Sequence, residues 1–158
     1  VCQAANDNDP AQVVVSGHKA AVERAVEIAK ARGAKRALML PVSAPFHCAL
    51  MQPAADAMAE ALSHVKVSAP SVPVVANVVA TAISDPDEIK KRLVEQVVGT
   101  VRWRECVAYM AANGITDFYE IGSGKVLAGL VKRTATTANA TSVGQPADID
   151  AAIAALMA

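Results

Sequence analysis

The stretch 12–42, QVVVSGHKAAVERAVEIAKARGAKRALMLPV, decides the fold class. QVVVSG is a β-branched run closed by Gly17, which reads as a strand. In the residues that follow, Ala21, Val22, Ala25, Val26 and Ile28 or Ala29 recur at helical spacing, so a helix is expected up to the stop signal at Gly33. KRALMLPV then reads as a second strand, ended where Pro41 and Pro45 interrupt it. Strand, helix and strand in this order predict a β-α-β unit. Upstream, VCQAANDNDP reads as a polar, turn-rich linker.

The alternation continues downstream. A helix is expected over about 49–64, with Leu50, Ala54, Ala57, Met58, Ala61 and Leu62 on one side, followed by a strand in VPVVANV and a loop. Asp85 is placed as N-cap of a helix reaching about Val98, Pro86 suits its first turn, and Glu88 would complete a capping box. Further helices are expected at about 103–112 and 125–135 and from Ala147 onward, with strands at ITDFYEIG and TSV. Strands alternating with helices imply an α/β architecture whose sheet is covered on its faces.

Composition narrows the function. Lys plus Arg and Asp plus Glu number 15 each, so there is no net positive field to hold a nucleic acid, and none is expected as partner. No apolar run approaches the roughly 18 to 20 residues that span a bilayer, so no membrane is expected. Cys2, Cys48 and Cys106 are widely spaced and odd in number, which disfavours a disulfide framework and points to a reducing, cytoplasmic setting.

Candidate chemistry begins with PVSAPFHCALM, 41–51, where His47 and Cys48 stand side by side. Zinc is not expected, because the histidines and cysteines at 2, 18, 47, 48, 64 and 106 lack the paired spacings of a closed site. Cys48 reads as a buried inert thiol, since neighbours on an extended segment point to opposite sides. GSGK at 122–125 fails the phosphate-loop pattern at both ends. It leaves either a plain turn or a helix N-terminus whose N–H groups face an anion. No G-x-S-x-G elbow occurs in the sequence. His47, at a proline-fixed junction, is open to two readings: a satisfied core side chain or a general acid-base group.

Together, QVVVSGHKAAVERA, GAKRALMLPVSAPFHCALMQPAAD, PVVANV, LVEQVVGTVRW and YEIGSGKVLAGLVKR resemble, in order, the C-terminal half of the malonyl-CoA:acyl carrier protein transacylase family of bacterial fatty acid synthesis. The resemblance implies an α/β-hydrolase-like acyltransferase core. Residues 41–158 would form its C-terminal portion, and residues 1–40 the second half of a small ferredoxin-like subdomain. It implies malonyl transfer from coenzyme A to the phosphopantetheine thiol of acyl carrier protein through an acyl-serine, with no cofactor. His47 would be the general base, and the backbone carbonyl of Gln96 would orient its ring, the Gln96 side chain mattering little. Phe46 would disfavour an α-methyl substituent on the acyl group, and Leu40, Val42 and Val126 would line the acyl pocket.

The family's nucleophilic serine, its malonyl-binding arginine and its oxyanion-hole glutamine fall outside the matched motifs. The chain is therefore expected to be one segment of a longer protein, to need the missing N-terminal half, and to be inactive alone. The alternatives are a docking fragment for the acidic carrier protein, through Lys30, Arg32, Lys35 and Arg36 or through Lys132 and Arg133, and an acyltransferase for another acyl-CoA.

Overall fold

The valine run at 13–15 forms a strand, but its partner is the segment read as a linker. In the computed structural model, which describes residues 1–157, β1 (Cys2–Asp9) pairs antiparallel with β2 (Gln12–Gly17). The hairpin closes at Asp9, whose Oδ1 accepts the Ala11 N–H at 2.8 Å. β1 is polar because its side chains have partners. Asp7 accepts a forked bond from Arg104, and Asp9, 3% exposed, accepts from Arg133 Nε at 2.7 Å. On its other edge, Val101 N–H donates to Ala5 O and Asp7 N–H to Val101 O, both at 2.8 Å. Composition alone did not reveal a strand whose polar side chains are satisfied by residues about a hundred positions away.

Helix α1 (Lys19–Ala31) follows as expected, but KRALMLPV is not a strand. Residues 34–42 run without regular structure, and Leu38, Leu40 and Val42 are 46%, 48% and 62% exposed. A strand needs a ladder partner, and none lies beside this segment among the described residues. The unit is a hairpin followed by a helix rather than β-α-β.

A short 3-10 turn, Ala49–Met51, leads into α2 (Gln52–Ser63). Strand β3 is shorter than VPVVANV, covering Val74–Ala76, and it pairs antiparallel with β4 (Thr81–Ile83), which lies in the expected loop. Asp85 caps α3 (Pro86–Val98) by accepting Glu88 N–H at 2.8 Å. Glu88 does not complete the box, because its carboxylate turns to Arg92 at 3.1 Å. α4 (Trp103–Ala112) ends at Asn113 and Gly114, as read. β5 (Asp117–Ile121) and β6 (Asn139–Val143) form a parallel pair joined through α5 (Val126–Thr134), and α6 (Pro146–Leu156) closes the fold.

The described residues are thus mixed α/β, with three two-stranded sheets in place of the single covered sheet that the alternation suggested. Val107, Val131 and Ala135 are buried between α4 and α5, and Trp103, Met110, Phe118 and Ala140 pack against them. No described helix is long and apolar enough to cross a membrane.

Candidate active site

His47 stands in the loop between α1 and the 3-10 turn, with its backbone at φ +58°, a left-handed conformation rare outside glycine. Such a pose costs on the order of 1–2 kcal/mol and persists only where its surroundings over-determine it. Here they do. Cys48, fully buried, donates its thiol to Pro45 O at 3.1 Å, closing a turn around His47. On the far side, Ala49 N–H donates to Gln3 Oε1 of β1 at 2.8 Å, and Met51 N–H to Cys48 O at 2.9 Å.

The half-buried ring meets the end of α3. Its Nδ1 lies 3.0 Å from Gln96 O, across a separation of 49 residues. A carbonyl can only accept, so Nδ1 carries the proton, and in the neutral ring Nε2 is left as the basic nitrogen. Gln96 O is free to accept because the last carbonyls of a helix lack intrahelical partners. Gly99 N–H closes the final turn onto Glu95 O at 2.8 Å, and the chain then leaves with Gly99 extended. β1 ties the two sides together, holding the His47 loop through Gln3. It holds the α3 exit through Thr100 Oγ1, which donates to Ala4 O at 2.7 Å, and through Val101.

The other expected residues divide. Leu40, Val42 and Phe46 are exposed and line one groove of about 1680 Å³ together with residues of β2 and α1. Val126 is 70% exposed and does not line it. At GSGK, the N–H groups of Leu127 and Ala128 are already taken by the Glu120 carboxylate at 3.0 and 2.8 Å, so the start of α5 faces this chain's own anion. Those bonds, that to Ala128 foremost, hold the Glu120 carboxyl below the usual carboxylate range. Of the basic residues considered for a partner, Arg133, half exposed, pairs with Asp9 and Lys30 pairs with Glu27 at 2.9 Å. Among the described residues no three His, Cys, Asp or Glu side chains converge as a metal site would require.

Gln3, Cys48 and Glu120 were missed as positioning groups. For Glu120 a signal existed: a carboxylate just before a glycine turn and a helix start is placed to cap that helix.

A family profile described as "Acyl transferase domain" matches residues 2–153. This chain belongs to the acyl transferase domain family. Among its relatives, the "Malonyl CoA-acyl carrier protein transacylase" of Escherichia coli (strain K12) is 51% identical over 148 residues, covering 94% of this chain and 48% of the relative. The protein of the same name from Bacillus subtilis (strain 168) is 44% identical over 154 residues, covering 98% and 49%. The crystal structure of acyl-carrier-protein-S-malonyltransferase from Bartonella henselae matches with a TM-score of 0.96 at 53% identity, over 100% of this chain and 50% of that one. A further solved structure, a type II PKS acyl-carrier protein in complex with its malonyl-transacylase, matches with a TM-score of 0.92 at 44% identity, over 96% and 49%. This acyl transferase domain chain spans about half the length of the curated relatives it matches.

Proposed function

We propose that this chain carries the general-base part of a malonyl-CoA:acyl carrier protein transacylase. The observation that carries the reading is the bond from His47 Nδ1–H to Gln96 O, which fixes the tautomer that a base acting through Nε2 needs. The left-handed backbone of His47 and the names of the relatives support it.

In the proposed reaction, Nε2 takes the proton of a serine supplied by a segment outside these 158 residues, as that oxygen attacks the malonyl thioester carbonyl. The carbon–sulfur bond breaks and coenzyme A leaves as its thiol, carrying the proton returned by His47. The phosphopantetheine thiol of acyl carrier protein then gives its proton to Nε2 and attacks the acyl-serine ester, and the serine recovers the proton as it leaves. Thioester becomes ester and then thioester again, so no redox or metal cofactor is needed. A neutral carbonyl behind the ring suffices because it orients the imidazole without an aspartate.

Phe46, Leu40 and Val42 are proposed as one wall of the acyl site and Val126 as another. Residues 1–40 are proposed as the second half of a ferredoxin-like subdomain, and 41–158 as the C-terminal portion of a hydrolase-like core in a cytoplasmic enzyme.

The test is malonyl transfer to carrier protein, measured with the full-length protein carrying this chain and with the 158-residue chain alone. The full-length protein is expected to show ping-pong kinetics and a malonyl-enzyme adduct, and the isolated chain neither. Transfer by the isolated chain would overturn the reading.

A further inference from the structure

The Gln96 side chain does more than accompany its carbonyl. Its Nε2 donates to Gly99 O at 2.9 Å, across the turn by which α3 ends. The same residue is thereby held at two points, by its carbonyl to His47 and by its amide to the backbone three residues on. The other end of the amide, Oε1, is buried without a donor. Leaving a buried acceptor unpaired is unfavourable, so a glutamine without a task at a helix end would turn to solvent. Gly99 is constrained from the opposite side: a Cβ there would stand 2.8 Å from Val78 Cγ2 and 2.9 Å from Glu95 O, so the turn lies against β3's exit with no room for a side chain.

We infer that the Gln96 side chain and Gly99 form a latch that sets the position of the Gln96 carbonyl and so selects the tautomer of His47. Gln96 is a positioning residue through its side chain as well as its backbone, contrary to the expectation that the side chain matters little. The inference rests on His47 being the base. A carbonyl displaced by about 1 Å no longer holds Nδ1–H, and Nε2 is then protonated in part of the molecules and cannot accept. The loss falls on the chemical step, because the latch touches neither acyl group nor coenzyme A in this account.

The test uses the full-length protein carrying this chain, with Gln96→Glu, Gln96→Ala, Gly99→Ala and, as reference, His47→Ala. Gln96→Glu keeps the shape but loses the donor, so it remains informative if Gln96→Ala does not fold. Each latch variant is expected to lower kcat about tenfold or more with KM for malonyl-CoA within about twofold. Nitrogen-15 NMR of the imidazole should show His47 changing from the Nδ1-protonated form to a tautomer mixture, a change that lost stability alone does not produce. Unchanged kcat and an unchanged tautomer in Gln96→Glu, with His47→Ala inactive, would overturn the latch and leave the base intact. An active His47→Ala would instead overturn the base assignment on which the latch rests.

Discussion

At the scale of single residues, the two buried cysteines show how position decides reactivity. Burial foremost pushes the Cys106 thiol up to about 11, and its Sγ lies against Asn77 Oδ1 at 3.4 Å. Cys48 is buried and spent on Pro45 O, while Cys2 is exposed. A thiol reagent at pH 7.5 is therefore expected to modify Cys2 alone in the native chain and all three cysteines after denaturation. Prompt native labelling of Cys106 would contradict this environment. The burial of Cys48 was legible in the sequence, but the extended backbone expected to separate it from its neighbour is absent, because His47 is left-handed at φ +58°. That its sulfur closes the turn holding His47 was not legible, because the bond depends on the loop's three-dimensional path. Likewise the sequence shows a histidine at a rigid junction but cannot show φ +58°, since the bonds to Pro45, Gln3 and Gln96 that surround this conformation come from the loop's fold and from distant segments.

At the scale of elements, helices were legible and strands only in part: β2, β5 and β6 lie where QVVVSG, ITDFYEIG and TSV indicate, whereas β1 and β4 were missed and KRALMLPV was misread. Apolar spacing and capping residues are local, so α3 and α4 lie where Asp85, Pro86, Asn113 and Gly114 indicate. Strands depend on partners. β1 is polar yet paired, and KRALMLPV is apolar yet unpaired. The start of α5 offers a test of how an element end is held. Glu120 accepts two of its free N–H groups, so Glu120→Gln, which turns an amide N–H2 toward them, is expected to lower the melting temperature at pH 7. Because the carboxyl is depressed in the fold, its contribution is complete above the usual carboxylate range and fades as pH falls through its lowered value. The gap in melting temperature between wild type and Glu120→Gln should accordingly narrow in acid. A gap that is constant from pH 7 to pH 3 would show that the cap contributes nothing.

At the scale of the whole molecule, β1 connects parts that are remote in sequence. Asp9 joins it to α5 through Arg133, and Asp7 joins it to α4 through Arg104. Burial raises the Asp9 carboxyl, but Arg133 and the N–H groups of Ala11 and Gln12 outweigh that, so it stays charged below its ordinary range. Asp9→Ala is expected to cost about 1–2 kcal/mol in chemical denaturation, moderated because Arg133 is half exposed and regains water. A variant as stable as wild type would remove this tie. The site is assembled at the same scale. The resemblance identified His47 and Gln96 as partners from motifs 49 residues apart, and the fold brings them within 3.0 Å. Gln3, which pins the loop, and Gly99, which bounds the turn, carried no sequence signal because their tasks are close approaches between distant segments. The most direct measurement is the rate of malonyl transfer to acyl carrier protein by the full-length protein with and without His47→Ala. The account predicts a loss of about 10²–10⁴-fold, the range for removing a positioned general base. Transfer within about twofold of wild type would contradict it.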